Sequence, residues 1–534
     1  MQYDPGDLAA RYTDLSAERE GWLHLARRNS ALTLPGLIPE GEGTRGQSAQ
    51  DRPVPHNNLG AQAVNTLSAK MVLQLLPPSQ PFFRLEIKPE ARENIDSAII
   101  AGSDDVSGAA AAINAELEAS LVEVETRLVR EVGRENIRAA TVEAFKHLLV
   151  AGNVVIHVPD KGNASVIDLR NFVVNRDPSG TLLTLIVREQ LAVVALPEAV
   201  REEMELDVES QKGDAMSLHK PLDLYTIMER TGSNSFKVVQ MIGDKIVPGS
   251  EGTFKQDRVP YLVLRGTEAA GESYGDALVT NHEGDLIVLE GISKAIKEAA
   301  IASSMLIFGI DESARQGLER QITQANNGAA IRMKQTDVWA LQVNKLADFQ
   351  LAANVGREAQ TRLREAFLLH QTRDAERVTA EEIRQNLAEL QQALGGLFAI
   401  LADGFQRPLL HRLMVRLKKR GGLAGVEAIL ITGVDAIGRN SELNNMLSFS
   451  AILKEGLGEQ IGTQILNPSE FANRAANATS VRAKGLVRTD EEFAALQQQS
   501  TLSQAAVAGA GPIGAAAVRE GGIPTGPPTT GEAN

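Results

Sequence analysis

A pentapeptide near the middle of the chain has the residue types of a hydrolase nucleophile. GESYG, residues 271–275, matches G-x-S-x-G, the turn that presents a catalytic serine in α/β hydrolases, with Ser273 as the nucleophile. That chemistry needs a strand that runs directly into the first glycine, a helix that leaves the turn, and an acid and then a histidine later in the chain. Here the last strand-like run ends at Gly266, and the later histidines lie in no recognisable triad context. A glycine-flanked loop that enters a helix is the simpler interpretation, with a hydrolase as an alternative.

Metal and nucleotide chemistry find no support in the residue types. The chain has no cysteine, and its eight histidines are scattered without the H-E-x-x-H spacing of a zinc site. No G-x-x-x-x-G-K-[ST] phosphate loop and no Rossmann fingerprint occurs. The sequence therefore predicts a protein that is not an enzyme and has no cofactor or metal. If the protein works beside a DNA motor, another protein hydrolyses the nucleotide that drives it.

Two charge clusters remain as candidate contact sites. Arg373, Asp374, Glu376 and Arg377 form the first, which alone predicts an ordinary exposed loop, with a functional contact as the less common possibility. The second, RPLLHRLMVRLKKRGG, places six basic residues between positions 407 and 420 with no acid among them. Such a run complements a helix C-terminus and is typical of a solvated or inter-subunit face.

The first cluster stands immediately before a long helix. Thr379 and Glu382 have the spacing of a capping box, so a helix begins there. Gly395 and Gly396 lower the local helix propensity, which predicts either a close backbone approach or a bend, and Pro408 predicts a second kink. One apolar stripe at helical period runs through this helix. The stripe consists of Ile383, Leu387, Leu390, Leu394, Leu397 and Leu401.

Periodicity divides the chain into a helical start, a β-rich middle and a helical second half, which is an α+β, helix-rich fold. Helices are predicted over residues 8–29, 60–75, 109–150, 286–299 and 352–367. Five β-branched runs lie between the third and fourth helices, and the second run contains a tight turn at DPSG. A mixed insert separates the last two helices. Shorter helices are predicted within residues 440–500, and the Ala/Gly/Pro-rich residues 501–534 are predicted to be a disordered tail.

Composition sets the class of protein. With 534 residues, 43% of them hydrophobic, the chain is long enough for about three or four units of ordinary domain size. No run of about 18 or more apolar residues and no secretory signal pattern occurs, which predicts a cytosolic protein without a membrane partner. The net charge of −14 argues against a protein that grips nucleic acid, although not against a surface past which DNA slides. Aromatic residues, at 4%, are too few to suggest stacking platforms for single strands.

Four separated segments match one family in order and spacing. They are RYTDLSAEREGWLHLARRNSALTLPGLIPEGEGT, NNLGAQAVNTLSAKMVLQLLPPSQPFFRLEI, RVTAEEIRQNLAELQQALGGLFAILADGFQRPLLHRLM and AIGRNSELNNM. Together they resemble the portal, or head-to-tail connector, proteins of short-tailed bacteriophages with autographivirus-type heads. The resemblance runs from about residue 8 to residue 500, and four blocks in the right order are far more specific than one short motif.

The resemblance implies a ring of about twelve copies around a central channel at one vertex of a capsid. Each subunit of such a ring has a wing, a stem of two helices, a clip inserted between them and a crown. On this chain the wing is residues 1–281, the first stem helix 282–304, the clip 305–346, the second stem helix 347–370, the tunnel loop 371–378, the long wing helix with its return 379–435, and the crown 436–500.

The same resemblance places the first charge cluster in the tunnel loop, where the copies encircle DNA. Arg373 and Arg377 would meet phosphates transiently, while Asp374 and Glu376 would keep those contacts weak. A ring built from chains of charge −14 is expected to be a conduit of low friction and not a clamp.

The function that the resemblance implies is nucleation of the procapsid, passage of DNA during packaging and ejection, and attachment of the tail. The implied partners are other copies of the chain, double-stranded DNA, capsid and scaffolding proteins, a terminase motor and a tail adaptor protein. The protein would belong to the virion and would be assembled in the cytoplasm of the bacterial host. A structural adaptor of lower symmetry is the alternative from a different class.

Overall fold

The computed structural model of the chain describes residues 5–40, 52–78, 81–87, 106–204, 221–304, 307–341, 346–369, 396–418, 426–430 and 446–453, with four further residues beyond them. The chain divides into two compact units, residues 1–433 and 434–534. In the second unit residues 446–453 are helical, whereas the predicted tail lies outside the described residues. None of the helices in the described part is long and apolar enough to cross a membrane.

Four helices open the first unit at positions that the apolar periodicity predicts. They are α1 (Pro5–Leu32), α2 (Leu59–Leu75), α3 (Val106–Arg134) and α4 (Ile137–Ala151), with strand β1 (Phe83–Ile87) between α2 and α3. Helix α2 buries Val64, Leu67 and Met71, which are three and four residues apart, in the main core. The stretch predicted as one helix over residues 109–150 is two helices, because Asn136 takes a left-handed backbone with φ of 56°. Asparagine tolerates that conformation better than most residues.

Antiparallel strands form the middle of the unit. The smaller sheet contains β2 (Asn153–His157), β3 (Ser165–Ile167) and β10 (Tyr261–Arg265), with β2 in the centre. The larger sheet contains β4 (Phe172–Arg176), β5 (Leu182–Ala192), β6 (Pro221–Gly232), β7 (Ser235–Ile242) and β8 (Lys245–Ile246) in that order, and β9 (Gly252–Lys255) also pairs with β7. The short helix α5 (Glu198–Glu203) lies between β5 and β6.

The tight turn that the sequence predicts at DPSG joins β4 to β5. The Gly180 N–H donates to the Asp177 carbonyl at 2.8 Å, and Gly180 has φ of 85°. Glycine reaches that conformation without steric cost, which is why the turn ends on it.

Helices and one hairpin follow the sheets. The remaining elements are β11 (Thr267–Glu268), β12 (Gly275–Asp276), α6 (Glu283–Ser304), β13 (Ile307–Ile310), α7 (Leu318–Thr323), β14 (Val338–Leu341), α8 (Leu346–Ala366), α9 (Arg407–Lys418) and β15 (Val426–Leu430). Strands β13 and β14 pair with each other, and β15 pairs with β1.

Three glycines meet where α4, β10 and β12 come together. A Cβ atom on Gly152 would lie 2.3 Å from the carbonyl oxygen of Gly275, and one on Gly266 would lie 2.3 Å from that of Asp276. The Gly266 N–H donates to the Gly152 carbonyl at 2.7 Å. Backbones can approach this closely only where side chains are absent, so positions 152 and 266 require glycine, and a Cβ atom on Gly275 would be in tight contact, 3.0 Å from the Gly266 nitrogen.

The buried side chain of Asn153 holds this glycine crossing together. Its Oδ1 accepts from the Gly275 N–H at 2.9 Å, and its Nδ2 donates to the carbonyls of Gly275 at 2.9 Å and Ala151 at 3.2 Å. Asn153 is 3% exposed, so water does not compete for these groups. Strand β12 continues through the 3₁₀ turn Leu278–His282 into α6, and the crossing therefore fixes where α6 starts.

The long helix predicted beyond Thr379 is described from Gly396 onward. Residues 396–401 are helical, Ala402–Gln406 form a π-helical turn, and α9 continues directly from it. Leu401 is buried as the stripe predicts, whereas the stripe before residue 396 lies outside the described residues. Pro408 has no N–H to donate, and the π turn before it accommodates the lost bond without ending the helix. A Cβ atom on Gly396 would meet nothing within 4 Å, so no close backbone approach occurs there.

Two described members of the basic run of residues 407–420, Arg412 and Arg416, are not part of the solvated or inter-subunit face that the sequence suggests. Arg412 is 3% exposed; its Nε donates to the Val158 carbonyl at 3.0 Å, and its Nη2 lies 2.5 Å from Oδ1 of Asp160. Buried carbonyl groups need donors, and α9 supplies one to the loop that follows β2.

Arg416 is held in the same way one helical turn later. It is 7% exposed, pairs with Glu135 at the end of α3, and donates to the carbonyl of Pro159. Of the described members, only Arg407 lies at the surface, 3.0 Å from Asp403. Arg412 and Arg416 thus fasten α9 to the core of their own chain.

We expect Asn153→Ala to lower the free energy of unfolding by about 2 to 4 kcal/mol. The substitution leaves the N–H and carbonyl of Gly275 buried without their partner, and each unsatisfied group costs about 1 to 3 kcal/mol. Denaturant unfolding of the two proteins measures the difference. Asn163→Ala, at an exposed position of the loop after β2, is the control and should change stability by less than about 0.5 kcal/mol. Equal effects of the two substitutions would contradict the role of Asn153.

We also expect acid to destabilise the fold through His157. Its ring stacks on Tyr261 with centroids 4.5 Å apart, and burial, together with the nearby Arg412 guanidinium, lowers the pKa of His157 to about 4. Because an unfolded histidine titrates near pH 6.5, the unfolded chain binds the proton more tightly, and stability is lost as the pH falls from about 6.5 towards 4.

His157→Phe keeps an aromatic ring beside Tyr261 and removes the titrating group. Between pH 7 and pH 5 the parent protein should lose about 2 kcal/mol more free energy of unfolding than this variant. Denaturant unfolding at both pH values gives the comparison. The same loss in both proteins would show that the imidazole is not held neutral.

Candidate functional site: the helix pair and its insert

Helices α6 and α8 pack side by side in opposite directions. Nη2 of Arg362, near the end of α8, lies 2.7 Å from Oδ1 of Asp285, near the start of α6. Further along, a Cβ atom on Gly356 would lie 3.2 Å from Cγ2 of Ile292, so glycine lets the two backbones approach. The seam beside the core buries Leu286 and Leu289 of α6, Ala359 and Leu363 of α8, and Phe367 just beyond the end of α8. The spacing of these apolar residues is the helical pattern read from the sequence.

The first half of α6 is fixed to the rest of the unit by polar contacts. Glu290 accepts from the backbone N–H groups of His56 at 2.5 Å and Asn57 at 3.0 Å. Arg28 of α1 pairs with Glu283 at the helix start. Sequence reasoning missed these contacts, because a carboxylate that binds a segment far away in the chain leaves no local signal.

One cluster of charges on the surface of the pair, Arg362 with Asp285 and Glu358, is mutually neutralised. Arg362 binds Asp285 and also places Nη1 2.9 Å from Oε1 of Glu358. The hydrogen bond from Arg362 lowers the pKa of Asp285, so that carboxylate stays charged in mild acid. A guanidinium between two carboxylates has little charge left to offer a phosphate.

Apolar side chains stand exposed on the outward faces of the pair. Ile287 and Val288 of α6 are 48% and 40% exposed, and Leu351 and Val355 of α8 are 66% and 40% exposed. Leu351 and Val355 are four residues apart and so share one face of their helix. The pair therefore leaves four large apolar side chains in contact with water.

The insert between the helices is a β-hairpin with a short helix. Strands β13 and β14 pair in antiparallel register, and Trp339 covers Gly309 so closely that a Cβ atom there would lie 2.4 Å from the indole ring. Trp339 and Phe308 remain 51% and 45% exposed. Two strands alone are marginally stable, so this hairpin depends on packing beyond its own strands.

The predicted DNA-contacting residues Arg373, Asp374, Glu376 and Arg377 lie outside the described residues. Helix α8 ends at Ala366, and the described range that contains it ends at Leu369, just before the predicted loop. The assignment of these four side chains therefore stays a prediction.

The G-x-S-x-G motif is not a nucleophile elbow. It lies between the two-residue strands β11 and β12, which pair with each other, so no strand runs into Gly271. Oγ of Ser273 accepts from the Arg176 N–H at 3.2 Å, and the buried Tyr274 hydroxyl accepts from the Val174 N–H at 3.1 Å. The motif fastens the loop to β4, and the hydrolase alternative is wrong for this reason. Within the described residues, no group of three histidine, aspartate or glutamate side chains is placed to hold a metal ion.

Comparison with known proteins gives one family. The family model of the bacteriophage head to tail connecting protein matches residues 6–487. The chain is 30% identical over 525 residues to the portal protein of Enterobacteria phage T3, covering 95% of this chain and 94% of that protein. It is likewise 30% identical over 524 residues to the portal protein of Escherichia phage T7, covering 96% and 92%.

A third relative and one solved structure complete the comparison. The portal protein of Enterobacteria phage SP6 is 28% identical over 441 residues, covering 82% of this chain and 81% of that protein. The neck of a native gene transfer agent particle, computed with C12 symmetry, covers 78% of this chain and 89% of its own at 11% identity. Its TM-score of 0.34 is too low to support any inference. The relatives named above are structural phage proteins and not enzymes, and on the family match the chain belongs to the bacteriophage head-to-tail connecting proteins, the portal proteins of T7-like phages.

Proposed function

We propose that about twelve copies of this chain close into a ring at one vertex of the capsid and that double-stranded DNA passes through its central channel. The ring nucleates the procapsid, admits the genome during packaging, holds the tail and releases the genome at infection. Its position is in the virion, after assembly in the cytoplasm of the bacterial host.

The observation that carries this proposal is the pair of helices α6 and α8 with apolar side chains on their outward faces. Ile287, Val288, Leu351 and Val355 are each at least 40% exposed in the single chain. Copies placed side by side around an axis would cover each such face with a different, complementary face of the neighbouring copy, at about 25 cal/mol for each Å² of apolar surface buried. An isolated chain would leave them in water.

The parts of the chain take the roles that the family implies. The helices Glu283–Ser304 and Leu346–Ala366 are the stem, and the insert between them is the clip. Residues 1–281 are the wing, 371–378 the tunnel loop, 379–435 the long wing helix with its return, and 436–500 the crown. The buried contacts of Arg412 and Arg416 support the wing assignment, because they tie α9 to the loop after β2, within the first 281 residues.

The charges suit a channel through which DNA slides. Each firm contact between a basic side chain and a phosphate adds affinity and slows movement. The chain carries a net charge of −14, and Arg362 on the helix pair is already held by Asp285 and Glu358. In the tunnel loop, Arg373 and Arg377 meet phosphates briefly while Asp374 and Glu376 keep the contacts weak.

The partners follow from what the chain lacks and from where the ring stands. The sequence has no phosphate-binding loop of the ATPase kind, so a separate terminase supplies the energy for packaging. Capsid and scaffolding proteins surround the ring on the inside of the head, and a tail adaptor protein binds on the outside.

Native mass spectrometry with negative-stain imaging of the purified full-length chain tests the ring directly. A closed ring gives one mass near that of twelve subunits and an end-on view with a central hole. A smaller assembly without a hole would favour the structural adaptor of lower symmetry. The tail and capsid roles are then tested separately in infected cells.

We expect the double variant Leu351→Asp with Val355→Asp to fold and to fail in ring formation. Both side chains are exposed in the single chain, so the charges cost little there, whereas each would be an unpaired ion in a covered interface. Native mass spectrometry should show single chains where the parent protein shows rings. Asn163→Asp, which adds a charge at another exposed site, should leave the rings intact. Rings formed by the double variant would remove this face from the interface.

We expect Arg373→Gln with Arg377→Gln to leave ring assembly intact and to impair packaging or retention of DNA. The two arginines are the phosphate contacts of the proposed loop, and their loss also reduces the salt dependence of DNA passage. Packaged DNA per particle is the measurement. The matched control is Arg127→Gln with Arg130→Gln, which removes the same charge from exposed positions of α3. Equal packaging by all three proteins would show that the assigned role is wrong.

A further inference from the structure

Helix α8 ends in an unusual backbone conformation. Leu368 has φ of 53°, in the left-handed region. The Leu369 N–H donates to the Arg364 carbonyl at 2.7 Å, and the Leu368 N–H donates to the Glu365 carbonyl at 3.0 Å. These two bonds are those of a Schellman motif, which ordinarily has glycine at the position of Leu368.

A leucine in this position is strained. A Cβ atom disfavours the left-handed region, and a bulky residue there is an outlier that the surrounding structure must hold in place. Packing supplies part of that restraint, because Phe367 and Leu369 on either side are 1% and 8% exposed and Leu368 packs against the main core. Packing against the core explains why residue 368 is a leucine. It does not fix the orientation of the Leu368 carbonyl.

Lys70 of α2 holds that carbonyl. Its Nζ donates to the Leu368 carbonyl oxygen at 2.8 Å, from a side chain that is half-buried on the flank of α2. Burial lowers the pKa of Lys70, in keeping with an ammonium that has given up water for this contact. A cation at the C-terminus of α8 also complements the helix dipole.

We propose that Lys70 is a positioning residue that holds Leu368 in its left-handed conformation and so sets the direction in which the chain leaves α8. The ammonium orients the carbonyl, the carbonyl fixes the cap, and the cap fixes the exit of the chain at Leu369. This rests on the proposed function in one respect: the chain that leaves here leads to the loop of residues 371–378, so the same contact would position that loop.

Hydrogen exchange of the full-length chain, read residue by residue, tests the proposal. In Lys70→Met the amides of residues 368 and 369 should exchange about tenfold faster or more, as expected for loss of a hydrogen bond from a charged group. In the double variant Lys70→Met with Leu368→Gly most of that protection should return, because glycine adopts the left-handed cap without help. A general loss of packing at α2 would not be rescued by glycine at position 368.

Two further variants complete the experiment. Lys70→Arg keeps a cation at the carbonyl and should protect the cap better than Lys70→Met. Lys297→Met, which removes a lysine bond to the His56 carbonyl elsewhere in the unit, should leave residues 368 and 369 unchanged. The proposal is wrong if Lys70→Met does not speed exchange at these two amides, or if Leu368→Gly does not restore it.

DNA retention by the same variants separates this inference from the proposed function. If Lys70 positions the loop, retention should fall in Lys70→Met and recover in the double variant, while native mass spectrometry shows rings in both. If Leu368→Gly restores the slow hydrogen exchange but DNA retention is the same in all variants, Lys70 holds the cap of α8 but does not position the loop. If the parent protein forms no rings, the proposed channel function is wrong, whereas the conclusion on Lys70 from hydrogen exchange is unaffected.

Discussion

The contact on which the described architecture depends most is the one between the carboxamide of Asn153 and both backbone groups of Gly275. It joins the end of α4, the centre of the smaller sheet and the strand that leads into α6 at one point. The glycines at positions 152 and 266 make the point possible, because a methyl group at either of them would collide with a neighbouring backbone. The crossing is polar and enclosed, so its geometry tolerates little variation. The helix pair therefore starts from a fixed base.

The burial of apolar side chains changes along the helix pair α6 and α8. Near the crossing, α6 and α8 bury Leu289 and Leu363, and the ion pair of Asp285 with Arg362 joins them at the surface. Further out they carry leucine and valine side chains that the chain itself does not cover. In the described part of the chain, the helix pair thus has a buried base and an outer part whose apolar side chains face solvent. The family match is to portal proteins, which are structural phage proteins and not enzymes.

Much of this organisation could be predicted from the sequence, because it is written in local periodicity. The apolar spacing in α2 and α8 and the β-branched runs of the two sheets predict their elements correctly, and the four family segments identify the relatives. Local patterns did not reveal the break at Asn136, because one left-handed residue leaves the apolar period on both sides intact. They also failed for Arg412 and Arg416. A basic run is usually solvated. Only the fold shows that these arginines donate to the carbonyls of Val158 and Pro159, far away in the chain.

The π turn of residues 402–406 has a counterpart in the spacing of the apolar stripe. Before the turn the stripe advances by alternating steps of four and three, whereas Leu401, Phe405, Leu409 and Leu413, all buried, follow one another at intervals of four. A turn wider than 3.6 residues keeps such a series aligned, where an ordinary helix would let it drift sideways. The widened turn thus changes the residue spacing of the buried face without interrupting the helix. Leu401 and Phe405 can therefore share one buried face with Leu409 and Leu413 although the helix passes through Pro408.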